Sequence, residues 1–469
     1  MSSSATFDVV VIGAGCAGLC AAVEAAETGL SVAVLEKLDN ALLNSTVASG
    51  GYFAFIDTDL QRRQRILDSD EAFRRDMAMA GGGKSDPALV DLFLQHQLDT
   101  YYWLQERGIN FSQVEMGIGM NVPRCHAGDG QRVIEMLLRA AARLKIDVRY
   151  RWPANALTRE EQGFTVSGPQ GQSVIATGGV ILATGGFSRN PALLARLAPG
   201  LERVRIIDGG LGGTGDGIVM AEAHGAELCS MESVKPNFFA YAFREATQGA
   251  PARFHHDAPV GMVYHLGGVL VNQSGQRYIR EDLNAKDIAL ATLKLPEAMS
   301  WGIYDESVRR RAIAEKTIYI NPLAFEKSLR ADSLAELAGL AKVPEAALIA
   351  TIKTYNEACK SGQADAMGRE FQTAKVGKLF ALEEPPFYAF PTAPNLATTF
   401  SGVRINTHIE VVNRDGKAIE GLYACGEMVG GFHGMNFMTG TGLSQAAIFG
   451  RLAARHIADR VSNRGGAIN

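Results

Sequence analysis

Residues Phe7 to Ile12, FDVVVI, run directly into Gly13, Gly15 and Gly18 of GAGCAG, and few backbone arrangements accommodate that succession. The run is β-branched and apolar apart from Asp8, which suits a strand buried on both faces of a parallel sheet. A helical pattern follows from Leu19 to Thr28, then Gly29, then a second strand, SVAVLE, ending at Glu36. Each part has a physical task. Gly13 permits a tight turn, Gly15 lets the backbone approach a pyrophosphate, and Gly18 lets helix and strand pack closely. Glu36 can accept hydrogen bonds from a ribose. The helix start adds N–H groups and partial positive charge. A bound dinucleotide is therefore expected at this turn.

Further glycine-rich turns decide which dinucleotide. Lys37 follows Glu36, then Asn44-Ser45-Thr46 and Ser49-Gly50-Gly51. VILA (180–183) enters Thr184-Gly185-Gly186, and GLYACGE (421–427) is a short strand ending in an acid. Behind it lie Gly440-Thr441-Gly442 and a helical pattern from Leu443 to His456. A cofactor touched from both ends of the chain, with an acid for a polyol, fits FAD better than NAD. The 51 glycines cluster in such runs, as expected where backbone must approach a large ligand.

Composition excludes several alternatives. With 46 basic and 50 acidic side chains there is no basic excess for nucleic acid. The six cysteines show no CxxC, haem-attachment or iron–sulfur spacing, so free thiols in a reducing cytoplasm are expected, and electrons must pass to a separate acceptor. MSSSATF has no basic signal-peptide start, and no apolar run reaches the roughly 18 residues of a membrane span. His255-His256 lacks a third ligand at helical spacing, so no metal is expected.

VIGAGCAG, STVASGG, VILATGGF, TGDGIVMAEAHGA, GGVLVNQSGQRYI, LYACGEMVGGFHG and GTGLSQAAIFGR together resemble the flavoprotein family of fumarate reductase and succinate dehydrogenase, in the family's order and over almost the whole chain. The family also holds 3-ketosteroid and tricarballylate dehydrogenases, its soluble branches, to which this chain looks nearest. The resemblance implies an α/β fold: a Rossmann-like FAD-binding domain (1–228 and 356–469) with an inserted α+β capping domain (229–355). It implies FAD contacts at Gly13, Gly15, Ala17, Gly18, Glu36, Lys37, Asn44, Ser45, Gly50, Gly51, Ala154, Asp216, Glu427, Gly442 and Leu443. Membrane-bound members attach the flavin to a histidine near Ser45, so noncovalent FAD is expected here.

The substrate half departs from fumarate reductase. Phe437, in His433-Gly434-Met435-Asn436-Phe437, stands where an arginine clamp is expected. The paired histidine falls nearest Thr398, the proton-donating arginine on Ala285, and a Thr-Glu pair near Val260-Gly261. A dicarboxylate without charged partners is costly to bury, so an apolar pocket is expected, lined by Tyr52, Phe437 and Gly440. The matching activity is an FAD-dependent dehydrogenase that desaturates the bond α,β to a carbonyl of a mostly apolar cyclic ketone. Hydride would pass to flavin N5, and Tyr264, or its neighbour His265, would take the proton. His433 is a candidate flavin or substrate contact, and Arg124 and His126 border the entrance or form a structural salt bridge. The alternatives are an ene-reductase running in reverse, an enzyme for a small carboxylic acid with Arg124, Arg253 and Arg404 as a rearranged clamp, and a flavin-bound scaffold without turnover.

Overall fold

The computed structural model describes residues 4–241, 264–314, 322–372 and 377–466. Its first sheet grows from the β-α-β start. Strands β1 (Ala5–Ile12), β2 (Val32–Leu35), β3 (Ser173–Leu182) and β4 (Ala418–Ala424) lie side by side in the order β4-β3-β1-β2, every pair parallel. Asp147–Arg149 adds a parallel strand beyond β2, and Glu410–Val412 pairs antiparallel with β4. Val9, Val10, Val11, Val34, Val180 and Ile181 are fully buried, as an apolar run without alternation requires. Ile12 pairs with both Leu35 and Leu182, and Leu182 with Ala424. Four strands therefore end at one level, where an open parallel sheet places its ligand. Helices Cys16–Glu27 and Thr441–Gly466 pack against each other and against this sheet.

A second sheet gathers around Phe387–Leu396. That strand pairs antiparallel with Asn237–Tyr241, Ser300–Asp305 and Leu329–Ala331, and parallel with Ile206–Ile207. Leu337, Leu348, Ile352 and Tyr355, from helices Leu334–Ala341 and Glu345–Ser361, close its core with Ile303 and Phe390. Leu382, past the second of those helices, is buried in the same core. Arg369 is fully buried there, 3.0 Å from Glu281 and donating to the carbonyls of Gly268 and Tyr264 at 2.8 and 2.6 Å.

Between the first helix and β3, residues 53–126 form an arm of three helices, Asp59–Arg63, Asp70–Ala80 and Pro87–Glu106, with a small antiparallel sheet. Thr58, Ser69 and Asp86 cap the helices through their side chains. Arg124 is wholly buried, donating to Asp68 at 2.7 and 2.9 Å and to Asp76.

Candidate active site

A cleft opens at the carboxyl ends of β1 to β4, the place where an open parallel sheet binds its ligand. Its floor depends on glycine. Gly13 has φ +110°, and a Cβ there would lie 2.4 Å from the Ala183 carbonyl oxygen. A Cβ on Gly18 would lie 2.0 Å from the Gly13 oxygen. Gly15, Cys16 and Ala17 line the cleft, and the helix they open has no side-chain cap. Glu36 accepts from the N–H groups of Ala14 and Leu38, both at 2.9 Å; a carboxylate has about four acceptor sites, so capacity for ribose hydroxyls remains. Lys37 pairs with Asp216 at 2.6 Å on the same wall. Asn44 accepts from the Val47 N–H at 3.2 Å and holds Ser45 at the rim. Ala154, Glu427, Gly442 and Leu443 complete the lining. Glu427 accepts from the Thr399 N–H at 2.9 Å, and burial pushes its carboxyl up. The second helix start, at Thr441, adds its own partial positive charge. Donors, glycine floor and acid together fit FAD.

A smaller cavity lies beside this cleft, and Thr398 and Phe400 line both. Lys286 enters it from the start of helix Ala285–Leu293, and Lys235 from the approach to the second sheet. Lys286 Nζ donates to Asn436 Oδ1. Burial, with the charge of Lys235, lowers the Lys286 ammonium to about 8. His433 is 2% exposed. Its Nδ1 lies 3.4 Å from Thr441 Oγ1, while Nε2 has no partner. Burial, with the charge of Lys286, lowers this imidazole to about 3, so it is neutral at pH 7. The Phe400 ring stands 4.2 Å from the His433 ring and 5.0 Å from that of Phe437. The loop carrying His433, Asn436 and Phe437 is docked on the helical arm: the Met435 N–H donates to Gly81 at 2.9 Å, and the Thr439 N–H to Ile118 at 3.0 Å.

The model of the FAD binding domain family matches residues 8–443. A fumarate reductase (cytochrome) from Shewanella frigidimarina is 32% identical over 464 residues, covering 97% of this chain and 77% of that protein. The chain belongs to the fumarate reductase flavoprotein family. It is an FAD-dependent oxidoreductase acting on carbon–carbon bonds. The solved open conformation of a flavocytochrome c3 fumarate reductase superposes with a TM-score of 0.83 at 27% identity, over 98% of this chain and 79% of that one. The 3-ketosteroid-Δ4-(5α)-dehydrogenase of Rhodococcus jostii RHA1 shares the fold, with a TM-score of 0.72 at 24% identity over 98% of each chain.

The flavoprotein's cleft gathers Gly13, Gly15, Ala17, Glu36, Lys37, Asn44, Ser45, Ala154, Asp216, Glu427, Gly442 and Leu443. Gly18, Gly50 and Gly51 stand outside its lining: Gly18 packs the helix on the turn, and a Cβ on Gly51 would lie 2.4 Å from the Gly130 nitrogen. Phe437 lines the side cavity with Thr398, but Tyr52 and Gly440 do not. The Tyr52 hydroxyl donates to Glu115 at 3.2 Å, and Gly440 presses on Phe53 and Ala54. Tyr264 corrects an expectation. It opens a short 3-10 turn rather than a strand and is buried with Phe238, Leu270, Ile288 and Ala289. Its hydroxyl lies 3.5 Å from the Phe238 carbonyl, and burial pushes the phenol up, away from use as a base. His265 packs edge-on against it at 4.3 Å, and neither lines the cavity. Arg124 forms the structural salt bridge, His126 donates or accepts 2.8 Å from Thr58 Oγ1, and Arg404 pairs with Glu227 at 3.0 Å. Arg253, His255, His256, Val260 and Gly261 lie outside the described residues.

The side cavity is not wholly apolar: two lysines, two asparagines and a histidine share it with Phe400 and Phe437. Lys286 directly follows Ala285, the position matched to the proton-donating arginine, so a shift of one residue would have found it. Nothing in the sequence singled out Lys235. Among the described residues no helix is long and apolar enough to cross a membrane, and no cluster suits a metal ion.

Proposed function

We propose that this flavoprotein reduces the carbon–carbon double bond of a small substrate conjugated to a carboxylate or carbonyl, and that Lys286 donates the proton. One observation carries the reading: a half-buried ammonium, lowered to about 8, stands in a cavity that shares Thr398 and Phe400 with the FAD cleft. FAD supplies reversible two-electron hydride chemistry when bound. The chain's own groups do the rest. Asn436 Oδ1 orients Lys286 Nζ. Burial, with the charge of Lys235, lowers the proton affinity of Nζ toward working pH, where a general acid is effective. Phe400 and Phe437 limit water around the reacting bond. The 32% identity to a fumarate reductase supports the reductive direction. The FAD is noncovalent in this reading: Ser45 stands at the rim, and the cleft's described lining includes no histidine. Electrons come from an external carrier.

Desaturation of a cyclic ketone is the second reading, favoured by the Phe400–Phe437 pair; Lys286 in its neutral form would then take the proton. The two separate in a steady-state assay. Oxidation of a reduced viologen dye by 2-enoates or cyclic enones supports reduction. Bleaching of the oxidised flavin by saturated ketones, with no dye oxidation by any alkene, supports desaturation.

A further inference from the structure

Lys286 stands in the first turn of helix Ala285–Leu293, a rod of roughly 13 Å. In the middle of the rod, Ile288 and Ala289 are buried with Phe238 and Leu270 of the second sheet. At its far end Leu293, and Ala298 just beyond, belong to the core of the first sheet. The helix therefore crosses from one packing unit to the other. The last carbonyls of a helix have no partner within it, and here Arg203 takes them. Its Nη1 donates to the Leu293 carbonyl, and its Nη2 to those of Leu295 and Pro296 at 3.0 and 3.3 Å. Arg203 is itself rooted between Leu201 and Val204, both buried in the first core. At the near end, Lys286 Nζ donates to Asn436 Oδ1 on the loop before the last helix. Apolar burial is non-directional, so it sets the depth of the helix but not its direction. A planar guanidinium spread over successive carbonyls sets the direction. A tilt of roughly 10° about the far end would carry the Lys286 end about 2 Å, and a misplacement of about 1 Å can cost roughly 10²-fold in rate.

Resting on the reading of Lys286 as proton donor, we propose that Arg203 is a positioning residue for the reaction: it fastens the carboxyl end of this helix to the unit that carries the FAD cleft, and so holds the proton-donating end in register with that cleft. Arg203 lines neither the cleft nor the side cavity, so it acts only through the helix.

The test compares the FAD-loaded wild type with Arg203→Met and Arg203→Lys. Arg203 is exposed, so neither substitution leaves a cavity. The first readout is kcat for dye-linked reduction of a 2-enoate at pH 7. Arg203→Met should lose about tenfold or more at matched FAD content, and Arg203→Lys, whose ammonium still donates to carbonyls, should recover most of that loss. The second readout does not involve the reaction: labelling of Lys286 by acetic anhydride against pH, followed by mass spectrometry of its peptide. Its midpoint should rise from about 8 in the wild type toward 10.5 in Arg203→Met, as the ammonium leaves its buried place. Lys235 and His433, the titratable groups sharing its cavity, are unchanged in both variants. An unmoved midpoint would overturn the proposal whatever the rate, because loss of rate alone is the mark of general destabilisation. A moved midpoint with full rate would overturn it too where Lys286→Met is slow. Where Lys286→Met also keeps full rate, it is the proton-donor reading that fails.

Discussion

In the proposed reaction Lys286 is the side chain that supplies the proton. Its ammonium is lowered from 10.5 to about 8, chiefly by burial. A proton donor must be protonated, so substrate reduction should stay level below pH 8 and decline as pH rises through that value, measured as kcat for dye-linked reduction. Lys286→Arg should move the decline to higher pH, because a guanidinium keeps its proton. Gly13 carries the other expectation at this scale. A methyl group would meet the Ala183 oxygen at 2.4 Å, so Gly13→Ala should purify with little FAD, read from the ratio of flavin to protein absorbance. Gly13 was legible because its fingerprint is local: strand, turn, helix and acid lie within 30 residues. Lys286 was not, since what lowers its ammonium is burial in a cavity closed by other segments, with the charge of Lys235, 51 positions away, second.

Among the elements, the arm of residues 53–126 backs the loop that carries His433, Asn436 and Phe437. Two backbone contacts bracket that loop, at Gly81 and Ile118, and Arg124 Nη1 reaches Met438 Sδ at 3.4 Å. Removing Arg124 leaves Asp68 and Asp76 buried without their partner. Arg124→Met should therefore lose about 3–5 kcal/mol in urea unfolding, and its KM should rise even where FAD content is normal. Helices of the arm could be read from their caps and apolar periodicity. The central strand of the second sheet could not: Phe387–Leu396 contains Pro391 and Pro394, which remove ladder donors and disguise a strand. Tyr264 misled for a related reason, since a residue preceding a strand carries no signal of whether it turns toward the ligand or into the core.

Across the whole molecule, the cofactor cleft is assembled from both ends of the chain, and the side cavity from the loop before the last helix and the second sheet's flank. The cofactor half was readable because phosphate and ribose impose glycine and acid at set spacings. The substrate half obeys no such pattern, and the loss of the arginine and histidine positions suggested grease where lysines stand. With no histidine in the cleft's described lining, acid precipitation should leave the yellow colour in the supernatant rather than the pellet. The most direct test of the proton-donor role is a single turnover: anaerobically reduced enzyme mixed with a 2-enoate, wild type beside Lys286→Met at matched FAD content. We expect rapid flavin reoxidation in the wild type and a rate roughly 10²–10⁴-fold lower in the variant. Equal rates in the two proteins, or no reoxidation of the wild type by any enoate, would contradict it.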